Sequence, residues 1–312
     1  MKVIIVGGAG FIGRNILKHF TKAGIDVCVY DRYLPYGDDV VFFKDIEYIQ
    51  GDLSGQKEFE RIISKGDTVI HLLSTSYPNN SNINIYRDAY NNILPGVMLV
   101  EACVKKDVGR IIFASSGGAV YGEPQYVPLD ENHPLNPVSS YGIHKMVVEK
   151  YLKLVYKLYG IRTISLRISN PYGPGQKPYS GQGFIATALA SAKMDRTIEI
   201  WGDGNATRDY IYIDDVVKAF NQALFYDGEY SVFNIGSGTG KSVNDILEEI
   251  QKVEGKSLKT EHYPKTSAEV GRNVLDCSRA KKYLGWEHET GLFDGLKKMS
   301  SMWDGIKKRY VK

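Results

Sequence analysis

The 312-residue sequence has little of several features that mark particular classes of protein. Its three cysteines, Cys28, Cys103 and Cys277, form neither a CxxC motif nor a Cys/His cluster, which argues against a disulfide framework and a structural zinc site. The N-terminal apolar run, Val3–Val6, is too short for a signal peptide, and no run reaches the ~18 residues of a membrane span. The net charge of +3 is evenly spread, so nucleic acid is not the expected partner. We therefore expect a soluble, cytoplasmic protein with no metal site and with neither nucleic acid nor a membrane as partner.

The features that are present point to an ordered α/β protein. Hydrophobic residues make up 43% of the chain and charged residues 24%, which is ordinary for a globular protein. Short apolar runs alternate with segments of helical periodicity, which predicts a doubly wound parallel sheet. A Pro/Gly-rich stretch, 170–175, follows these runs. We predict a Rossmann-type domain over 1–170, to which 211–235 returns, and a smaller mixed α/β substrate lobe over 171–210 and 236–312.

The N-terminus carries a glycine pattern that is typical of dinucleotide binding. Gly7, Gly10 and Gly13 follow the first apolar run and would provide a tight turn, close phosphate approach and close helix packing. Phosphates would then meet free N–H groups at the start of a helix. Asp31 ends the next apolar run, where a carboxylate accepts hydrogen bonds from ribose hydroxyls and repels a 2′-phosphate. The pattern predicts NAD rather than NADP, although the adjacent Arg32 makes that distinction less sharp.

A tyrosine and a lysine form a candidate catalytic pair. Tyr141 and Lys145 are four residues apart in a segment of helical spacing, so they share one helix face. A nearby ammonium would favour the phenolate, lower the tyrosine pKa and make it a proton acceptor near neutral pH. Ser115 and Ser116 end the fifth predicted strand, where ligands bind in open α/β sheets. Alone, each feature also fits a surface helix pair or a loop serine, but together they favour a catalytic site.

The motifs resemble the extended short-chain dehydrogenase/reductase family, in its NAD-dependent UDP-sugar 4-epimerase branch. The resemblance covers nearly the whole chain. It rests on motifs in this order: GGAGFIG at 7–13, GDL at 51–53, SSGGAVYG at 115–122, SSYGIHK at 139–145, LRISNPYGPGQ at 166–176, RDYIYIDD at 208–215 and NVLDCSRAKKYLGW at 273–286.

The resemblance implies a role for particular residues of this chain. Tyr141 is the implied catalytic base, Lys145 its partner, and Ser116, chosen over Ser115, the third member. The implied NAD contacts are Gly7, Gly10, Phe11, Ile12, Gly13, Asp31, Arg32, Asp52, Leu53, Leu72, Leu73, Ser74, Asn92, Tyr141, Lys145 and Ser169. The implied UDP-sugar contacts are Ser116, Gly117, Tyr141, Asn170, Trp201, Arg208, Arg272 and Asn273. Arg208 would pair with the diphosphate.

Two positions depart from the family pattern. The family often has Arg-Pro-Gly-Asp before its last strand, which supplies a second diphosphate arginine; here 265–269 reads KTSAE, so Lys265 or Arg272 would substitute. Where the branch has a bulky Tyr in enzymes for plain hexoses, this chain has Asn273. Because Asn273 is smaller and can hydrogen-bond an amide, it favours N-acetylhexosamines.

The resemblance implies reversible inversion at C4 of a UDP-hexose through a 4-keto sugar, with UDP-GlcNAc/UDP-GalNAc ahead of UDP-Glc/UDP-Gal. The alternatives are a 4,6-dehydratase or reductase of the same family and a non-catalytic NAD-binding scaffold. Gly117-Gly118-Ala119 stands where dehydratases carry an Asp-Glu pair, and scaffolds typically lack the Tyr–Lys pair. The family also implies a homodimer, formed through helices near 93–104 and 145–158, and a role in polysaccharide precursor synthesis.

Overall fold

The computed structural model describes residues 2–33, 46–52, 55–264 and 270–310, with side chains as far as Trp303. The strands are β1 (Val3–Val6), β2 (Val27–Asp31), β3 (Glu47–Gln50), β4 (Thr68–His71), β5 (Arg110–Ser116), β6 (Arg162–Ile168), β7 (Asn170–Tyr172), β8 (Ile198–Trp201), β9 (Thr207–Tyr212), β10 (Val232–Ile235), β11 (Gly240–Ser242), β12 (Thr260–Tyr263) and β13 (Arg272–Asn273).

The helices lie between these strands and at the C-terminal end. They are α1 (Phe11–Lys22), α2 (Gln56–Ile62), α3 (Pro78–Ser81), α4 (Ile85–Lys105), α5 (Ser140–Tyr159), α6 (Phe184–Lys193), α7 (Ile213–Phe225), α8 (Val243–Glu254) and α9 (Leu292–Tyr310), with a short π-helix at Ala280–Leu284. None of the described helices combines the length and apolarity needed to cross a lipid bilayer.

The predicted parallel sheet is confirmed. Its strand order is β10-β6-β5-β4-β1-β2-β3, with every pairing parallel. The central strands are buried on both faces because helices cover both sides, which explains their continuous runs of Val and Ile. α1 and α7 cover one face, while α2, α4 and α5 cover the other. The strand order reverses between β1 and β4, where open α/β sheets bind ligands beyond the strand ends.

A second, smaller sheet lies beyond β6. β9 pairs with β7, β11 and β13, while β8 and β12 form a separate parallel pair. The fully buried Asp209 of β9 accepts hydrogen bonds from the backbone N–H groups of Ser237, Gly238 and Leu275, so one carboxylate holds two loops together. After β9 the chain runs back to the large sheet, where α7 packs against α1 and β10 pairs with β6. The division into two domains stays a prediction.

Candidate active site

A cavity of about 1520 Å³ lies at the carboxyl end of the large sheet. The β1–α1 turn, the loop after β4, the ends of β5 and β6 and the start of α5 line one side, and residues of the smaller lobe line the other. Many of the residues predicted for the site line this cavity: Gly7, Gly10, Phe11, Ile12, Gly13, Arg32, Leu72, Ser74, Ser116, Tyr141, Lys145, Ser169, Asn170, Trp201 and Arg208. The fold therefore brings side chains that are distant in sequence into one cleft.

The turn between β1 and α1 requires glycine at two positions. Gly7 has φ +87°, and a Cβ there would lie 3.1 Å from the carbonyl carbon of Leu72. A Cβ on Gly13 would lie 2.5 Å from the carbonyl oxygen of Gly8, so only glycine lets α1 pack this closely. Gly10 caps α1 without a side-chain hydrogen bond, and the first turn of α1 has no acidic residue. The first backbone N–H groups of α1 are therefore not capped by a side chain, and the positive end of the helix dipole there favours a pyrophosphate.

Asp31 holds this turn from the end of β2. Its Oδ2 accepts from the backbone N–H of Ala9 at 3.0 Å, and its Oδ1 accepts from the N–H of Tyr33 at 3.1 Å. Each carboxylate oxygen has capacity for a further hydrogen bond, so these contacts leave room for ribose hydroxyls. The carboxylate is thus fixed at the tip of β2, where the sequence predicted a ribose contact.

The remaining predicted NAD contacts differ in their surroundings. Asn92 does not line the cavity: its Oδ1 accepts from the backbone N–H of Thr75 at 2.7 Å, so it orders the loop after β4. Asp52 is exposed after β3, and Leu53 lies outside the described residues. Ser169 lines the cavity, and its buried hydroxyl has no hydrogen-bond partner. A buried hydroxyl without a partner, at the carboxyl end of the large sheet, is available to hydrogen-bond a polar ligand.

The catalytic candidates converge at the end of β5. Tyr141, in the first turn of α5, hydrogen-bonds Ser116. Lys145 donates to the carbonyl of Ala114 at 2.9 Å, and its Nζ lies 5.6 Å from the centre of the Tyr141 ring. Ser115 instead donates to Glu149. The hydrogen bonds therefore favour Ser116 as the third member.

The pKa of Tyr141 differs from the sequence-based prediction. Burial raises it to about 12, and the hydrogen bond with Ser116 only partly offsets this effect. Burial also lowers the pKa of Lys145 to about 7, opposed by the charge of Glu149. In the protein without dinucleotide, desolvation outweighs the lowering expected from the ammonium; the further lowering expected from a positive nicotinamide ring stays a prediction. Tyr141 is a phenol near neutral pH unless further positive charge enters the cleft.

A histidine beside the tyrosine does not compete for the role of base. The rings of His144 and Tyr141 meet edge to face at 5.0 Å, and Nδ1 of His144 lies 3.4 Å from Asp88. Burial, aided by the charge of Lys145, lowers the pKa of His144 to about 4. It is therefore neutral under ordinary conditions and packs as part of the protein interior.

The predicted sugar-nucleotide residues fall into two groups. Asn170, Arg208 and Trp201 line the cavity; Asn170 donates to the carbonyl of Asp209 at 2.9 Å, and Trp201 is 51% exposed. Gly117, Arg272 and Asn273 do not line it. Asn273 is 1% exposed and donates to the carbonyl of Gly117 at 3.1 Å, while its Oδ1 has no partner. Arg272 is exposed, and Lys265 lies outside the described residues.

Among the lining residues that were not predicted, two make contacts that shape the cavity. Tyr77 donates from its hydroxyl to the carbonyl of Ser180 at 3.0 Å and so joins the two sides of the cavity. Gln176 donates to the carbonyl of Pro171 at 3.0 Å, and its buried Oε1 has no partner. Gln176 ends a motif that was recognised, so that motif was the signal for it. Tyr77 carried no signal, since its partner is distant in sequence.

Comparison with known proteins identifies the family. The pattern described as the NAD dependent epimerase/dehydratase family matches residues 3–236. The chain belongs to this family. The predicted resemblance to the UDP-sugar 4-epimerase branch and the predicted NAD cofactor are confirmed.

Three relatives illustrate the range of this family. A Methanocaldococcus jannaschii protein, provisionally named UDP-glucose 4-epimerase, is 38% identical and covers 95% of this chain and 96% of its own. The dTDP-4-dehydro-6-deoxyglucose reductase of Escherichia coli is 35% identical and covers 95% of this chain and 96% of its own. The structure of UDP-glucose 4-epimerase from Thermotoga maritima with UDP-glucose has a TM-score of 0.92 at 33% identity, covering 98% of this chain and 99% of that one.

The residues of this epimerase/dehydratase chain fit NAD. The glycine turn and the start of α1 would hold its pyrophosphate, Asp31 its adenosine ribose, and Lys145 and Ser169 the part nearest Tyr141. When bound, NAD supplies a hydride acceptor and a positive charge. That charge acts on Tyr141 in the direction opposite to burial, because it favours the phenolate.

Proposed function

We propose that the protein catalyses reversible inversion at C4 of a UDP-hexose. The observation that supports this most is the convergence of Ser116, Tyr141 and Lys145 on one cleft beside the dinucleotide turn. A hydroxyl, a phenol and an ammonium at this spacing can remove and return one hydroxyl proton. The turn would hold a dinucleotide in the same cavity, so a proton acceptor and a hydride acceptor would meet there.

In the proposed reaction, Tyr141 takes the proton from O4 while Ser116 hydrogen-bonds the same oxygen and orients it. Bound NAD would supply the acceptor and donor of the C4 hydride. The sugar would then pass through a 4-ketone and be reduced again on the opposite face of the ring, with no net redox. Tyr141 then gives the proton back to O4. Lys145, whose ammonium lies within 5.6 Å of the Tyr141 ring, stabilises the phenolate during the step.

The UDP part would be held by the smaller lobe while the sugar turns over. Arg208 supplies positive charge for the diphosphate, and Asn170 and Gln176 supply side-chain amides in the same wall. We further propose UDP-GlcNAc/UDP-GalNAc as the first substrate pair and UDP-Glc/UDP-Gal as the second. The only support for this order is the sequence position of Asn273, where a smaller side chain stands in place of the bulky Tyr of plain-hexose enzymes; in the structure Asn273 is buried and does not line the cavity.

A second candidate is reduction of a 4-keto nucleotide sugar, which the E. coli reductase relative favours. The same tyrosine would donate a proton to the ketone oxygen, and an added reduced dinucleotide would be consumed. Dehydration is less well supported, because Gly117 and Gly118 offer no carboxylate for the elimination.

The direct test incubates the purified protein with UDP-GlcNAc and, separately, with UDP-Glc, without added reduced cofactor. We expect the C4 epimer to accumulate to equilibrium, detected by NMR of the anomeric and H4 protons. A parallel reaction with a dTDP-4-keto-6-deoxy sugar and NADH or NADPH tests the second candidate. Turnover of neither UDP-sugar would contradict the main proposal, and turnover of UDP-Glc alone would reverse the order of substrates.

We also propose that the protein forms a homodimer through α4 and α5. Both helices present large apolar side chains to solvent: Ile85, Tyr86, Tyr90, Leu94, Tyr151, Leu154 and Leu158. Exposed apolar patches of this kind mark association surfaces. We expect light scattering after size exclusion to give twice the chain mass, and Leu154→Asp to give a monomer. A wild-type monomer would contradict the proposal.

A further inference from the structure

α5 carries a third side chain in the same row as the catalytic pair. Tyr141, Lys145 and Glu149 are four residues apart, so they lie along one helix face. The first two hydrogen-bond the end of β5, as described above. The third does so as well, because the hydroxyl of Ser115 donates to the Glu149 carboxylate. Three consecutive residues of one strand thus hold three consecutive turns of one helix.

The carboxylate of Glu149 is also half of a buried ion pair. Arg167 Nη2 lies 2.7 Å from Glu149 Oε2, Arg167 Nε lies 3.0 Å from Oε1, and both side chains are 5% exposed. Arg167 lies on β6 directly opposite Ser115, and its Nη1 donates to the hydroxyl of Tyr121 at 3.0 Å. A buried pair of this kind gives little net stability, because desolvation offsets the attraction. Because Glu149 lies in one row with Tyr141 and Lys145, the pair points to a role in positioning α5.

We propose that Glu149 is a positioning residue of the reaction: paired with Arg167 and bonded to Ser115, it fixes the depth of α5 against β5 and places a negative charge one helical turn from Lys145. Glu149 does not line the cavity, so it would act through Lys145 and the helix rather than on the ligands. This inference rests on the function proposed above for the identity of the reaction. The geometry behind it involves only residues of this chain.

Two consequences follow from this arrangement. First, the helix is held at three levels, so the distance between Tyr141 and Ser116 is fixed by a contact outside the cavity. Second, the Glu149 charge opposes the effect of burial on the Lys145 pKa and keeps the ammonium charged closer to neutral pH. Because the proposed reaction uses the charged form of Lys145, Glu149 widens the pH range in which the pair works.

The test compares Glu149→Gln with wild type. Glutamine keeps the shape and the acceptor for Ser115 but removes the charge. We expect kcat to fall at least tenfold, KM for the UDP-sugar to change less than twofold, and the alkaline limb of the kcat profile to move to lower pH. The sign follows because losing a nearby carboxylate lowers the lysine pKa, so the ammonium disappears sooner as pH rises.

A second readout needs neither turnover nor bound NAD. Lys145 borders the cavity with only 3% of its surface exposed, so labelling needs a small amine reagent, such as acetic anhydride, and a long incubation. Its labelling in NAD-free protein, followed by mass spectrometry across pH, gives the titration midpoint of the amine. We expect a lower midpoint in Glu149→Gln than in wild type. If the UDP-sugars are not turned over, this measurement still tests the inference by itself.

Matched variants separate positioning from simple destabilisation. Glu131 is another buried carboxylate with an arginine partner, Arg279, at 3.3 Å, and it lies outside α5. Glu131→Gln should lower the melting temperature but leave the Lys145 midpoint unchanged. If Glu149→Gln fails to fold, Glu149→Gln combined with Arg167→Met removes both charges; the midpoint should then fall by less, because loss of the more distant arginine charge partly offsets loss of the carboxylate. An unchanged Lys145 midpoint in every folded Glu149 variant would overturn the proposal.

Discussion

The two walls of the cavity are built in different ways. The cofactor wall, residues 7–13, 72–79, 114–119 and 138–145, comes from strand ends and helix starts of one parallel sheet. The sugar wall, residues 170–187 and 197–210, belongs to the smaller lobe, where short pieces of β7, α6, β8 and β9 alternate with glycine-containing loops. Several glycines of the sugar wall, Gly173, Gly175, Gly181 and Gly183, have positive φ. Sheet pairing fixes the first wall, whereas local turn geometry shapes the second.

This difference predicts how each wall responds to substitution. On the cofactor wall, Tyr141 and Lys145 each have a protein partner, so a change there alters chemistry or cofactor binding. On the sugar wall, Gln176 has an unpartnered acceptor and Trp201 is half exposed. These groups are available to a ligand, so changes there should mainly alter affinity. The experiments below test this division, beginning with the largest expected effect.

Tyr141→Phe should have the largest effect, because it removes the hydroxyl of the proposed proton acceptor and leaves the ring. We expect kcat to fall by about 10³-fold, within the usual range for a general acid–base group. NAD should stay bound, which absorbance of the purified protein can check. Tyr151→Phe, an exposed tyrosine of the same helix, is the control and should keep full activity. An active Tyr141→Phe enzyme would show that the base is wrongly assigned.

Gly13→Ala should act on NAD binding rather than on chemistry. The added Cβ would meet the carbonyl oxygen of Gly8 at 2.5 Å, so the turn must shift. Overpacking of this kind costs about 1–3 kcal/mol, which corresponds to roughly 5- to 150-fold weaker NAD binding if the turn absorbs it. Calorimetric titration of NAD-free protein measures this. Gly55→Ala, where a Cβ meets nothing within 4 Å, should leave the affinity unchanged, and equal affinities for both variants would contradict the argument.

The same contrast explains how much could be predicted from the sequence. The glycine turn was visible because its sterics act over a few neighbouring residues. The partner of Ser115 was not, since Glu149 becomes buried only when Arg167 lies opposite that serine across the β5–β6 pairing. The bond of Tyr77 to the carbonyl of Ser180 likewise depends on how the lobes meet. Motifs therefore located the cofactor wall and left contacts across the cleft unassigned.

Arg208→Ala should weaken substrate binding and test the sugar wall. A charged hydrogen bond to a diphosphate contributes about 1.5–3 kcal/mol, so KM should rise roughly 10- to 150-fold with a smaller change in kcat. Arg272→Ala is the matched comparison, because this arginine is exposed and does not line the cavity. We expect its KM to change less than threefold. A larger effect from Arg272 than from Arg208 would mean that the wall closes differently around substrate.

The smallest effect should appear in the pH dependence of stability at Lys145. Burial lowers its pKa in the folded protein to about 7, whereas the unfolded chain keeps the ordinary value of 10.5. At a pH between these two pKa values, Lys145 is protonated in the unfolded chain and neutral in the folded protein. Through this group the free energy of unfolding of wild type increases with pH, by at most about 1.4 kcal/mol per pH unit.

Lys145→Met lacks this contribution, and other groups cancel in the comparison. The difference in melting temperature, wild type minus variant, should therefore increase by a few degrees between pH 7.5 and 9.5 in NAD-free protein. Lys150→Met, an exposed lysine of the same helix, should give no such slope. A flat difference for Lys145→Met would mean that the lysine keeps its ordinary pKa in the fold. The buried lysine would then stay charged in the folded protein with no loss of folding stability.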